Sequence, residues 1–156
     1  MSPQQAADPG RPAAHATEIQ VRFSDSDGLG HVNNGSYAQY AETARLDFFA
    51  QFGVRVTSII LANLAIDYRR QIVFGDPVSV TTRVIYLGTT SIKLEQQVLS
   101  RGHVAAEIHS VVVFFSYGEG HKQEIPSELR ARLENSADVA HTRAGRNDAD
   151  QSDGYR

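Results

Sequence analysis

Apolar and polar side chains alternate from Thr17 to Phe23, with Ile19, Val21 and Phe23 on one side, and this period of two predicts a half-buried strand. From Asn34 to about Phe52 the period changes. Tyr37, Ala41, Ala44, Phe48 and Phe52 recur at three- and four-residue steps, while Gln39, Glu42, Arg45 and Asp47 fall elsewhere on the wheel. That spacing predicts one long amphipathic helix, stopped by Gly53. A second strand follows, with Ile60, Ala62, Leu64, Ile66 and Tyr68 facing one way and Asn63, Asp67 and Arg69 the other, before Phe74 to Pro77 turns the chain. Val78 to Leu87 and Ser91 to Arg101 predict two more strands, broken at Gly88, and Arg101-Gly102 turns into a fifth from His103 to Tyr117. This last strand is apolar on both faces from Val111 to Phe115, so it belongs inside the sheet. The segment IPSELRARLE predicts a short terminal helix capped by Ser127.

A helix of about 18 residues is roughly 27 Å long, and strands of 10 to 15 residues reach roughly 35 to 50 Å. The strands must therefore curl around the helix. The fold class is α+β, a long central helix wrapped by a curved antiparallel sheet of about five strands, in one domain over residues 17–135. Residues 1–16 and 136–156 hold almost no large apolar side chains and are expected to be disordered tails. One helix cannot cover so much apolar strand surface, so a homodimer or homotetramer is expected.

The formal charge of −3 supplies no general attraction to nucleic acid or to an anionic membrane, and neither is expected as a partner. The chain has no cysteine, which excludes disulfides, thiolate metal sites and cysteine nucleophiles. Its first residues contain no apolar core of a signal peptide, so a cytoplasmic location is expected.

The chemistry concentrates in RFSDSDGLGHVNNGSY, Arg22 to Tyr37, where a strand breaks into a glycine-punctuated turn and enters the helix. Asp27, His31 and the helix N-terminus share a small volume there. Unpaired amides at a helix start, Asn34 N–H first among them, can hold the oxygen of a thioester carbonyl. Asp27 can attack the carbonyl carbon or take a proton from water, and His31 can orient water or thioester. Asp-Gly also forms turns, so Asp27 has a turn role open to it as well. Asp25 reads as a turn or capping residue, and one of Asn33 and Asn34 as the helix cap. Tyr37 and Tyr40 suit a pocket wall better than acid catalysis. Arg69, Arg70 and Arg83 are candidates for substrate phosphates, with solvated edge charges or dimer salt bridges as the alternative, and as neighbours on a regular strand Arg69 and Arg70 would point opposite ways; Thr90 and Ser91 suit hydroxyl contacts or the turn alone.

With the turn, helix and strands assigned, the chain resembles the hot-dog fold, within the 4-hydroxybenzoyl-CoA thioesterase-like family of acyl-CoA thioesterases. Arg22 to Phe49 carries most of the resemblance, through an aspartate-containing signature and a Tyr-x-x-Tyr-x-Glu-x-Ala-Arg helix, and Ile66 to Val84 resembles a second block. The resemblance implies that Asp27 is the catalytic carboxylate, Gly30 the turn glycine, Asn34 the helix-starting amide and Tyr37 the first helix tyrosine. His31, Asn33 and Asn34 resemble the version found in long- and medium-chain fatty acyl thioesterases. Gln71 departs from it, standing where many relatives have proline. Catalysis is thus expected from Asp27, His31 and Asn34, and substrate binding from Gly30, Asn33, Tyr37, Arg70 and Thr90. The expected substrate is an acyl-CoA, with acyl carrier protein as an alternative thioester carrier, and no metal or separate cofactor is expected.

Other readings of the same residues are weaker. Leu29 and Ser36 leave a calcium loop two oxygen ligands short, and Gly28-x-Gly30 is followed by Asn33 where a dinucleotide site needs glycine. His103 and His109 are six residues apart on a strand, roughly 20 Å, too far to share a metal. A hot-dog hydratase or dehydratase resembles Asp-x-Asn-Pro-x-His, a pattern missing here. A non-catalytic acyl-binding module is the remaining alternative.

Overall fold

The computed structural model of the chain describes residues 14–136. Strands β1 (His15–Ile19), β2 (Ile59–Tyr68), β3 (Val78–Leu87), β4 (Ser91–Ser100) and β5 (His103–Ser116) form one antiparallel sheet. Their order is β1-β3-β4-β5-β2, and the two-residue β6 (His121–Lys122) pairs with the end of β5. Tight turns join β3, β4 and β5. The β4–β5 turn puts both Arg101 (φ 51°) and Gly102 (φ 77°) in the left-handed region, as two-residue hairpins require. Helix α1 (Asn34–Ala50) lies in the chain between the two edge strands β1 and β2 and runs along the inner face of the sheet, and Gly53 at φ 71° ends its last turn. The sheet curls around α1, which is the hot-dog architecture.

The buried face of α1 meets two apolar clusters in succession. Tyr37, Tyr40, Ala41 and Ala44 pack on Ile72, Val80, Val98 and Ile108 at one end. Phe48 and Phe49 pack on Val84, Leu94 and Phe114 at the other, where helix α2 (Ser127–Glu134) adds Leu129 and Leu133. A polar tie lies among them. The fully buried Gln96 donates from Nε2 to the Ala41 carbonyl and to Thr82 Oγ1, both at 3.0 Å, fixing the helix against β3 and β4.

Several features depart from the expected elements. Strand β1 begins at His15 rather than Thr17, because Asp47 of α1 accepts hydrogen bonds from His15 Nε2 (2.8 Å) and Thr17 Oγ1 (2.6 Å) and fastens the strand's start. Apart from residues 14–16 and Ser136, the expected tails lie outside the described residues. Phe23 does not continue β1; it opens a 3-10 turn, Phe23–Asp25, drawn tight by Arg22 and Asp25, and is 83% exposed. Arg45, placed by periodicity away from the apolar face, is buried, and its Nη1 has no partner among the described residues. Burial pushes its guanidinium below the ordinary value, with Glu42 opposing. Finally, Ser127 is the first residue of α2 and not its cap, a place held by Pro126.

A bulge between Leu61 and Asn63 reverses the expected alternation of β2, so that Leu61, rather than Ile60 or Ala62, shares the inner face with Leu64, Ile66 and Tyr68. β2 is also an edge. Its inner residues Leu61 and Tyr68 remain 41% and 46% exposed, whereas their partners on β5, Val112 and Ala106, are 1% and 0% exposed.

Candidate active site

Asp25 sets the entrance to the site. Its carboxylate, 3% exposed, accepts from the Arg22 backbone N–H (2.8 Å), from Arg22 Nε and Nη2 (3.1 and 2.9 Å) and from the Tyr40 hydroxyl (3.0 Å). Burial pushes the Asp25 pKa up, but these hydrogen bonds outweigh it and hold the pKa below its ordinary value. Burial and the Asp25 carboxylate together push the Tyr40 phenol above its ordinary range. The Asp25 carbonyl accepts from Asn33 N–H at 2.7 Å and from Ser36 Oγ at 3.3 Å, so this residue joins the incoming chain to the first turn of α1.

Between those anchors, Asp27 sits in a closed turn. Its N–H donates to the His31 carbonyl (2.7 Å), and its carbonyl accepts from Gly30 N–H (3.3 Å). Gly30 has φ 80°, a conformation that side-chain-bearing residues rarely adopt. The exposed Asp27 carboxylate uses one oxygen only. Oδ1 accepts from Leu29 N–H (2.8 Å) and His31 N–H (3.1 Å), while Oδ2 has no partner among the described residues. The Leu29 amide first, then the His31 amide, hold the Asp27 carboxyl below its ordinary pKa of 3.8. Asp27 is therefore ionised at neutral pH with one oxygen free.

Asn33 is the helix cap, with Oδ1 accepting from Gly35 N–H at 2.8 Å. Asn34 is the first helical residue. Its N–H precedes every intrahelical acceptor and has no partner among the described residues. It lines a pocket of about 240 Å³ together with Asp27, His31, Val32, Tyr37, Tyr68, Arg69, Arg70 and Gln71. His31 Nδ1 is buried and unpartnered among the described residues, and the backbone bridge from His31 to Val73 fixes the residue's place.

Of the expected site residues, Asp27, His31, Asn34, Tyr37 and Arg70 thus line one pocket, and Gly30 and Asn33 shape its turn and its helix start. Thr90 is at the other end of the sheet. Its carbonyl accepts from Phe114 N–H (2.8 Å), and Phe114 pairs with Ile59, the start of β2, roughly 30 Å along the strand from Tyr68. Arg83 is on β3, ion-paired with Glu95 and away from this pocket. Arg69 and Arg70 were expected to point opposite ways. They follow the end of β2, where both amides donate to the Ala105 carbonyl (2.8 and 3.0 Å), and both line the pocket. Arg69 is bonded to Glu107 through Nε (3.1 Å) and Nη2 (2.7 Å); the Arg70 guanidinium has no ion pair among the described residues. Sequence reasoning passed over Val32 and Tyr68, and for Tyr68 the available signal was a phenol at the end of an edge strand.

An ionised carboxylate beside an unpaired helix-start amide suits the cleavage of acyl derivatives, and comparison with known proteins defines the class further. The chain belongs to the thioesterase-like superfamily, whose family model matches residues 21–133, and its class is that of thioester hydrolases. Among its relatives is the long-chain acyl-CoA thioesterase FadM of Escherichia coli (strain K12), 29% identical over 126 residues that cover 76% of this chain and 96% of that protein. A thioesterase from Thermus thermophilus, solved in complex with coenzyme A and zinc, is 33% identical with a TM-score of 0.70, covering 76% of this chain and 91% of that one. A protein described as a predicted thioesterase from Bacillus stearothermophilus is 29% identical with a TM-score of 0.73, covering 78% of this chain and 95% of that one. Among the described residues no cluster of three or more His, Asp or Glu is placed to hold a metal ion, and no helix is long and apolar enough to cross a membrane.

Proposed function

We propose that this protein hydrolyses a fatty acyl-CoA thioester to the free acid and coenzyme A, with Asp27 at the reacting carbon. The carrying observation is the unpartnered Asp27 Oδ2 and the unpartnered Asn34 N–H on one pocket. In the general-base course, Oδ2 takes a proton from water as the water oxygen bonds to the carbonyl carbon. In the nucleophilic course, Oδ2 itself forms that bond, giving a mixed anhydride that water then cleaves. In either course the Asn34 amide holds the oxyanion, the C–S bond breaks, and the thiolate leaves to be protonated as coenzyme A. His31 orients the water or the thioester, Tyr37 and Val32 form the wall, and Arg70 supplies a cation for the phosphates. The fatty substrate is supported by the FadM relative, and coenzyme A as carrier by the Thermus complex. The hydratase reading finds no support in these relatives.

A panel of short, medium, long and aromatic acyl-CoA esters, followed by release of free thiol, tests the proposal. Hydrolysis fastest with a medium or long aliphatic chain is expected; turnover of none of them removes it, and thiol release from acyl carrier protein alone would change the carrier.

The uncovered inner face of β2 further supports a homodimer. Antiparallel pairing of two β2 edges would bring the Ile59 end of one copy, and with it Thr90, beside the Tyr68 end of the other. Equilibrium sedimentation at micromolar concentration is expected to give at least twice the chain mass of 17.1 kDa. The single-chain mass would overturn the dimer.

A further inference from the structure

Tyr68 is the last residue of β2 and lines the pocket, though the chemistry above makes no use of it. Its hydroxyl donates to the Asn34 carbonyl at 3.0 Å, and its ring meets Tyr37 edge-on, with centroids 5.1 Å apart and planes at 81°. Tyr37 returns the contact from the helix, donating to the Arg70 carbonyl at 3.1 Å. Tyr68 therefore grips the backbone of α1, and Tyr37 that of the stretch just after β2. The consequence falls on a single peptide unit. The carbonyl of the Asn34–Gly35 unit is held by Tyr68, and its N–H is held by Asn33 Oδ1 at 2.8 Å. The Asn34 N–H belongs to the preceding unit, whose Asn33 carbonyl accepts from Ser36 N–H at 2.9 Å; with both planes held, the torsions of Asn34 and the direction of its N–H are restricted.

We propose that Tyr68 is a positioning residue that sets the orientation of the Asn34 amide before substrate arrives. The proposal rests on the reading of that amide as the oxyanion donor. A donor contributes most when its direction costs nothing to establish in the transition state, so losing the hydroxyl acts on turnover more than on substrate binding. The aromatic packing against Tyr37 does not need that hydroxyl, which makes Tyr68→Phe the informative substitution.

The test compares wild type, Tyr68→Phe and Asp27→Asn by acyl-CoA kinetics, and follows backbone amide hydrogen exchange in the first two. Tyr68→Phe is expected to lower kcat about tenfold with KM within about twofold of wild type, and to leave the shape of the pH profile unchanged. Exchange should quicken at Gly35 and Ser36 while Ala44 to Phe49 keep their protection. Wild-type kcat in the variant overturns the proposal. So does loss of an alkaline limb, which would make the phenol a proton donor, or quickened exchange along the whole of α1, which would make the tie a general support. Wild-type inactivity toward every acyl-CoA removes the proposed function itself, and exchange at Gly35 then decides the tie alone.

Discussion

Replacing Asp27 by asparagine is expected to lower kcat about a thousandfold while the fold is kept, since amide and carboxylate have the same shape and Asn Oδ1 can still accept from the Leu29 and His31 amides. What is lost is the basicity and charge of Oδ2. The pH profile tests this assignment. A carboxylate held below 3.8 stays ionised on acidification, so kcat/KM should remain level down to about pH 5 and fall only as pH drops through the lowered pKa. A fall already complete at about pH 5 would point away from this carboxylate as the base. Oxygen-18 entering the Asp27 side chain during turnover in labelled water would mark direct attack. Near wild-type activity in Asp27→Asn would place the chemistry elsewhere.

The largest effect on stability is expected from Asp25→Ala. Removing this carboxylate leaves the buried Tyr40 hydroxyl without its acceptor and frees the Arg22 guanidinium and amide from theirs. Breaking a fully buried charged pair costs about 3–5 kcal/mol, but the Arg22 side chain is 60% exposed and can be solvated, so about 2–4 kcal/mol is expected in urea unfolding. The pH dependence has a fixed sign. The folded-state pKa is depressed, so the contribution is complete above the unfolded value near 3.8 and disappears as pH falls through the folded value. The gap between wild type and variant should therefore be constant from about pH 6 to about pH 8 and close in acid. Equal unfolding midpoints at neutral pH would show that Arg22 and Tyr40 do not need Asp25.

Much of the site was legible because Asp27, Gly30, His31, Asn33 and Asn34 are neighbours in the chain, and a turn entering a helix must keep them together. The long helix and interior β5 were legible for a related reason, since burial on one face leaves a period in the sequence and burial on both leaves an unbroken apolar run. Depth does not. Arg45 counts as polar in any periodic reading, and only the curled sheet shows it buried. Alternation likewise carries no mark of an inserted residue, so the bulge at Leu61 and Asn63 turned part of β2 over unseen. Thr90 follows from parity. Successive antiparallel strands finish at opposite ends of the sheet, which puts residues 69–77 and the Arg101-Gly102 turn at the Asp27 end and the β3–β4 turn at the far one.

The Asp27 carboxylate owes its orientation to the amides of Leu29 and His31, two and four residues along the same loop. In the proposed mechanism reactivity is carried by one covalent segment of about ten residues, whereas Tyr37 and Gln71, which shape the space beside it, come from helix α1 and from the stretch after β2. Chain-length preference can then drift by substitution in those walls without the chemistry being rebuilt. A lineage with this turn can keep one reaction and change what it is applied to.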